Sequence, residues 1–180
     1  MGCVSCSKAP VLKVYTLDVP KVAAVSQSRY HNKIIKISHP ESLRENMSQK
    51  MNFSYSLNDR GTYMNSQWST TMSKLLQGTI LQVLDESKQF KAVLSDTSTL
   101  SENYRLESNV FAFEHTVRGT SSYAVVSIQF TLINADTGKL VKDKRFSYQE
   151  ATPTTDAKGY ALATNVIMAK LSRDLLGWLR

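Results

Sequence analysis

The sequence predicts a single α/β domain in which a mixed, largely antiparallel sheet packs against two long amphipathic helices. Two segments carry apolar residues at helical spacing, one near the middle of the chain and one at its end. Between them, residues 104–149 alternate apolar and polar residues, which indicates an antiparallel meander with one buried face. A chain of 180 residues is long enough to bury a sizeable core in one domain.

The N-terminal part of the chain is mostly polar, with two short β-like runs. Residues 1–10 are small and polar and predict a flexible tether that precedes a domain over residues 11–180. The strand candidates are Val11–Leu17 and Lys33–Ser38, separated by a polar loop. The polar segment Glu41–Lys50 is compatible with a loop or with one weak helical turn.

A hairpin leads into the first helix. Met51–Tyr55 and Thr62–Met64 are short β-like runs on either side of an Asn-Asp-Arg-Gly turn. The apolar stripe that predicts a helix from Trp68 to about Phe90 consists of Trp68, Met72, Leu75, Leu76, Thr79, Ile80, Val83 and Leu84. Asn65 and Ser66 are the predicted N-caps. We expect Gly78 to mark close packing against a neighbouring element.

The second half of the sequence predicts three strands followed by a helix. Tyr104–Val117 and Ser121–Ala135 flank an Arg-Gly-Thr turn, and Leu140–Gln149 returns after Asp-Thr-Gly. Thr152–Asp156 interrupts the strands and caps the final helix. The apolar stripe of this helix consists of Tyr160, Ala161, Thr164, Met168, Leu171, Leu175, Trp178 and Leu179. Across both helices, the residues predicted to anchor the core are Trp68, Leu76, Ile80, Phe90 and Trp178.

No motif of catalytic chemistry stands out. The Gly-x-Ser-x-Gly elbow, the Walker A and dinucleotide glycine patterns and His-Glu-x-x-His are all absent. The histidines His31, His39 and His115 are far apart and have no partner at ligand spacing, so we interpret them as surface or loop residues. The sequence therefore favours a protein that is not an enzyme and predicts neither a cofactor nor a metal site.

The net charge of +7 permits an anionic partner but does not select one. Basic residues are scattered and are not interleaved with aromatic residues, so nucleic acid is not the predicted partner. Four cations, Lys139, Lys142, Lys144 and Arg145, crowd one hairpin arm. They either form a surface for lipid headgroups or, as we favour, protect an edge strand from unwanted pairing.

Both cysteines, Cys3 and Cys6, lie at the N-terminus, so we expect no disulfide bond within the domain. Gly2-Cys3 nearly matches a myristoylation signal, but Cys6 occupies the Ser/Thr position. It also matches the remnant of a bacterial lipoprotein site, where a small residue precedes the Cys that is acylated. An ordinary start with an incidental cysteine remains the third interpretation. No run of about 18 apolar residues predicts a transmembrane helix.

The order and spacing of several short motifs resemble a known family. The motifs are Tyr15-Thr16-Leu17, Ile34-Ile35-Lys36-Ile37, Met51-Asn52-Phe53-Ser54-Tyr55, Ser66-Gln67-Trp68, Ser87-Lys88-Gln89-Phe90, Tyr104-Arg105-Leu106-Glu107 and a terminal Gly-Trp-Leu. Together they span about residues 11–180. The sequence resembles the ABC-type transport auxiliary lipoprotein components, a family that includes proteins like paraquat-inducible protein C. The polar stretch Val22–Lys33 is longer than the family pattern leads us to expect.

The resemblance implies a domain similar to the N-terminal domain of TolB, without catalytic residues. It also implies a periplasmic lipoprotein of a Gram-negative envelope, anchored by an acyl group on Cys3. The implied partners are the permease and ATPase of an ABC transporter and mammalian-cell-entry-domain subunits that move phospholipid. Val4 after Cys3, where Asp would signal retention in the inner membrane, favours the outer membrane. Homo-oligomerisation remains open.

A second hypothesis assigns a different function to the same lipoprotein. The chain would then bind a lipid or another small hydrophobic ligand on its own, using the sheet face opposite the helices. The two hypotheses differ in whether transporter subunits or a bound lipid accompany the purified protein.

Overall fold

A computed structural model describes residues 10–43 and 47–180 and confirms one α/β domain with a curled, mixed eight-stranded sheet and two helices. The strands are β1 (Lys13–Tyr15), β2 (Ile34–Ile37), β3 (Lys50–Ser56), β4 (Asp59–Trp68), β5 (Ala92–Ser95), β6 (Tyr104–Arg118), β7 (Ser121–Asn134) and β8 (Lys139–Ala151). The helices are α1 (Met72–Ser87) and α2 (Ala157–Leu179). Residues 44–46, within the predicted loop or helical turn, lie outside the described residues.

The long strand β6 organises the sheet. One of its sides pairs antiparallel with β7, which pairs antiparallel with the edge strand β8, as the meander pattern predicts. Its other side is shared: the first part of β6 pairs with β2 and the later part with β3, both parallel. The sheet therefore forks into a β2–β5 branch and a β3–β4–β1 branch. The longest ladders are antiparallel, and the parallel ones are short.

Both helices pack on one face of the sheet, where the apolar core lies. Helix α2 lies against β7 and β8, and α1 lies against β5 and β2. The alternating residues of β7 that point to the helices are fully buried: Ala124, Val126, Ile128, Phe130 and Leu132. No helix of the described residues covers the opposite face of β6, β7 and β8, which we call the open face of the sheet.

The five predicted core anchors lie in or against this core. Trp68, Leu76, Ile80 and Phe90 are buried, with at most 5% of each side chain exposed. Trp178, near the C-terminal end of α2, is only partly buried and packs its ring against that of Phe146. Trp68 makes edge-on ring contacts with Phe113 and Tyr160, so it joins β4, β6 and α2.

The first helix is shorter than its apolar stripe predicts. Trp68 is the last residue of β4, where it pairs with Tyr15 and its N–H donates to the carbonyl of Gln49 at 2.8 Å. The helix begins after Thr71, and Asn65 and Ser66 belong to β4 instead of capping it. Trp68 packs on the same core as the first turn of α1 and lies at helical spacing from Met72. The apolar pattern therefore placed the start of the predicted helix about one turn too early.

Two expectations about glycines are wrong. Gly78 is exposed, and a Cβ built there meets no heavy atom within 4 Å, so close packing does not explain it. Gly61 lies within β4 and not in a turn, with the ring of Phe53 packed where its Cβ would be. Gly119 does occupy the β6–β7 turn, with a φ of +60° that favours glycine.

The second helix begins where the sequence predicts. Asp156 is its N-cap, and its carboxylate accepts a hydrogen bond from the N–H of Gly159 at 2.8 Å. The same carboxylate accepts from the hydroxyl of Thr154, and these hydrogen bonds lower the pKa of Asp156. The start of α2 is therefore fixed against the turn at the end of β8.

Candidate functional site

The open face of the sheet carries a groove beside the β3–β4 hairpin. Ser54, Ser56, Arg60, Glu114 and Thr116 are among the residues that line it, and its volume is about 280 Å³. Residue parity places these side chains on the open face, because the pairs Ser54–Arg60 and Ser54–Thr116 face each other across neighbouring strands. Sequence reasoning did not predict this groove, since it depends on the parallel pairing of β3 with β6.

An ion pair closes one side of the groove. The guanidinium of Arg60 donates to the carboxylate of Glu114 at 2.6 Å, and Glu114 is largely shielded from solvent. Beyond it, a second cavity of about 480 Å³ shares Glu114, Thr116 and Arg118 and continues to Tyr123 and Gln149. The continuous groove offers hydroxyl groups, an amide and guanidinium groups, which suit a small polar or anionic group.

The basic arm of β8 differs from a free cationic surface. The amine of Lys142 donates to the carbonyl of Trp178 at 2.7 Å, and Lys144 lies over the ring of Phe146 at 4.8 Å. Arg145 donates to the hydroxyl of Ser127 and stacks over Phe111 at 4.0 Å. Three of the four cations thus make specific contacts within the domain, and all four lie on the edge strand β8, where protection from unwanted pairing stays a prediction.

His115, expected to be a surface or loop residue, is fully buried. Its ring lies parallel to that of Tyr160 at 5.3 Å, and its Nδ1 is 2.6 Å from the hydroxyl of Tyr63. Burial lowers the pKa of His115 and raises that of Tyr63 to about 12. Burial therefore favours the neutral imidazole, which shares a hydrogen bond with the phenol of Tyr63. The local alternation of Phe113, His115 and Val117 could have predicted the burial, whereas counting from Leu106 would not, because a bulge after Val110 shifts the alternation.

A shielded carboxylate joins β2 to the beginning of β6. The carboxylate of Glu102 accepts from Lys36 and from Arg105, both at 2.7 Å. These two hydrogen bonds lower the pKa of Glu102 to about 2. Because Lys36 lies on β2 and Arg105 on β6, the contacts stabilise the junction where the two parallel strands meet. This cluster has a structural explanation and needs no ligand.

The remaining site predictions concern residues that the structure places elsewhere or does not describe. The predicted acylation site Cys3 lies outside the described residues, which begin at Pro10. Of the two hairpin tyrosines, Tyr55 is exposed while Tyr63 packs inward against His115. Among residues 10–43 and 47–180, no group of three or more His, Cys, Asp or Glu side chains could hold a metal ion.

Comparison with protein families identifies the family of this chain, which the geometry alone does not. A family model described as ABC-type transport auxiliary lipoprotein component matches residues 15–175. The chain belongs to this family. The match includes every strand from β2 to β8 and most of α2, so membership rests on the whole folded domain and not on a local motif.

Solved structures share the fold of this auxiliary component. Protein XCC0632 from Xanthomonas campestris, of family DUF330, superposes with a TM-score of 0.80 at 17% identity, covering 93% of this chain and 94% of that one. Protein CT253 from Chlamydia trachomatis gives a TM-score of 0.54 at 6% identity, covering 82% and 95%. PelC from Paraburkholderia phytofirmans, described as a dodecamer, gives 0.50 at 11% identity, covering 83% and 90%. At these identities the likeness establishes the fold alone.

A search of curated proteins gave no match to the auxiliary component. Among the described residues, neither helix has the length and apolar character needed to cross a membrane.

Proposed function

We propose that this chain is a non-enzymatic accessory lipoprotein of an ABC-type system that moves phospholipid across a Gram-negative envelope. The observation that carries the proposal is the family match over residues 15–175, whose description combines transport with lipid modification. In the proposed system the chain contacts the permease, the ATPase and mammalian-cell-entry-domain subunits. Its fold provides surfaces for such contacts, including the open sheet face and the groove beside the hairpin.

The proposed anchor is an acyl-bearing glyceryl group on Cys3, joined by residues 1–10 to a domain over residues 11–180. Several acyl chains provide stable anchoring, because each buried CH₂ contributes about 0.8 kcal/mol. Val4 follows Cys3 and does not signal retention in the inner membrane, so the proposed location is the periplasmic side of the outer membrane. PelC is described as a dodecamer, and self-association of this chain is part of the same proposal.

Metabolic labelling tests the anchor directly. Cells that express the chain with its native upstream sequence should incorporate labelled palmitate into it, and Cys3→Ala should abolish the incorporation. Cys6→Ala is the matched control and should leave labelling unchanged. Density fractionation should place the labelled protein in the outer membrane, and Val4→Asp should move it to the inner membrane. Labelling that persists in Cys3→Ala would contradict the proposed anchor.

The alternative is an envelope protein that binds a lipid or small hydrophobic ligand by itself. The groove beside Arg60 and Glu114 is the feature that favours it, since its cavity of about 280 Å³ and its polar lining suit the headgroup of a lipid. Native mass spectrometry after gentle extraction distinguishes the two functions. A lipid of defined mass without any transporter subunit supports the alternative, whereas subunits without a stoichiometric lipid support the accessory role.

A further inference from the structure

The end of the domain from which the N-terminal segment departs exposes several apolar side chains. Strand β1 runs parallel to β4, with Lys13 opposite Ser66, so the N-terminal end of β1 faces the turn between β3 and β4. The exposed apolar residues on this edge and turn, which we call the tether surface, are Val11, Leu12, Val14, Leu57 and Met64.

These side chains are too exposed to serve the core. Val11, Leu57 and Met64 are 82%, 88% and 91% exposed, and none contributes to the buried cluster. Val11 lies two residues before Lys13, and Met64 lies two residues before its partner Ser66, so both precede the paired part of this edge. A concentration of apolar side chains on one edge is typical of a surface that contacts a partner or a membrane.

Chain length limits which surface can meet the bilayer if Cys3 is acylated. Seven residue steps separate Cys3 from Pro10, and they span at most about 25 Å when fully extended. A domain of this size has a radius of gyration of about 16 Å, hence a width larger than the tether. The acyl group therefore holds the tether surface close to the membrane and the opposite end, with Leu140 and Val141, farther away.

Charge on the same end suits a lipid surface. Lys13, Arg118 and Lys158 are exposed, and Lys13 is close enough to the N-cap Asp156 of α2 to act on its charge. Two of the nearby acids are already engaged, because Glu114 pairs with Arg60 and Asp156 caps α2. Cations at the edge of an apolar patch can lie among lipid phosphates while the apolar side chains enter the headgroup boundary.

We propose that the tether surface rests on the lipid bilayer, with Leu57, Met64 and Val11 inserted at the boundary between headgroups and acyl chains. The inference rests on the acylation of Cys3 under the proposed function and deepens it by assigning an orientation to the domain. The acyl anchor raises the effective lipid concentration at this surface, so a few shallow side chains suffice for contact. The open groove beside Arg60 then lies next to the membrane, and the core-facing helices extend away from it.

Tryptophan depth measurement tests the orientation. Three single variants, Leu57→Trp, Met64→Trp and Leu140→Trp, place the same probe on the tether surface or at the opposite end. Acylated full-length protein is incorporated into vesicles of phosphatidylethanolamine and phosphatidylglycerol that contain brominated acyl chains. On vesicles, emission from the first two variants should be quenched and shifted to the blue relative to the same variants in solution, after subtraction of the signal of the unsubstituted protein, which contains the buried Trp68 and the partly buried Trp178. The Leu140→Trp variant, equally able to attract lipid, should show neither change.

Each outcome decides the inference. Equal behaviour of the three variants, or quenching of Leu140→Trp alone, overturns it. Tryptophans at 57 and 64 that remain in water on vesicles, but become shielded when envelope subunits are added, overturn it in favour of a protein partner. The mass of the purified protein shows separately whether Cys3 is acylated. A protein without the acyl group is thereby distinguished from an acylated protein with a different orientation. In that case, a maleimide lipid coupled to Cys3 in the Cys6→Ser background supplies the tether, and the same three variants decide the orientation.

Discussion

Among single residues, His115 makes the folded domain sensitive to acid. Burial lowers the pKa of its imidazole below the usual 6.5, and the carboxylate of Asp156 only partly opposes this shift. The unfolded chain therefore binds a proton at a pH where the folded chain does not. The contribution of His115 to stability is complete above the unfolded pKa of 6.5 and is lost as the pH falls below it. We expect a slope of at most about 1.4 kcal/mol per pH unit.

Urea unfolding between pH 7 and pH 5, on the unsubstituted chain and on His115→Gln, measures this slope. Because all other titrating groups are shared, the difference between the two free energies of unfolding isolates His115. The advantage of the unsubstituted chain should shrink as the solution becomes more acidic. A difference that stays constant across this range would show that the imidazole does not titrate differently in the folded and unfolded chains.

Two helical glycines predict opposite responses to the same substitution. At Gly78 an added Cβ meets nothing within 4 Å, so Gly78→Ala should raise the free energy of unfolding by about 0.5–1 kcal/mol. At Gly159 the added Cβ lies 2.0 Å from the carbonyl oxygen of Thr154, so Gly159→Ala should destabilise the domain. Thermal unfolding of both variants checks the pair, and loss of stability in Gly78→Ala would contradict the open environment described for it.

At the scale of elements, helix α2 depends on its N-cap. Asp156→Ala removes the carboxylate that accepts from Gly159 and should cost about 0.5–2 kcal/mol of stability. Asp136→Ala, in the exposed turn before β8, is the control and should change stability by less than about 0.5 kcal/mol. Chemical unfolding of the two variants makes the comparison. Equal stabilities would mean that the cap contributes nothing measurable.

The elements also show which parts of the fold local pattern can predict. The meander of β6, β7 and β8 was predictable because its strands are consecutive and its turns carry glycine. The boundary between β4 and α1 was not, because Trp68 packs on the core from a strand at a position that also fits helical spacing. Pairing of β6 with both β2 and β3 joins residues distant in sequence, and no local signal specifies it.

The candidate site was less predictable than the fold for the same reason. The groove brings Arg60 from β4 next to Glu114 from β6, 54 residues apart. Neither residue has a distinctive neighbour in sequence, so only the paired strands reveal their contact. The burial of His115, by contrast, follows from the local alternation with Phe113 and Val117, although the bulge after Val110 hides it from a count over the whole of β6.

For the whole molecule, the proposed function and orientation form one arrangement. In this proposed arrangement, an acyl group on Cys3 holds the tether surface near the bilayer, the groove opens beside it, and the helices cover the other face of the sheet. The domain would then supply attachment and contact surfaces to a transport system. Family membership supports an accessory role for this chain, because the family is described as auxiliary to transport.

Affinity purification from the native envelope tests the central claim most directly. The acylated chain, tagged at its C-terminus and crosslinked in cells, should recover the permease, the ATPase and mammalian-cell-entry-domain subunits in constant proportion. Cys3→Ala should reduce that recovery without lowering the amount of folded protein, and Cys6→Ala should not. Recovery of none of these subunits, from an envelope that contains them and with the chain correctly acylated, would contradict the account.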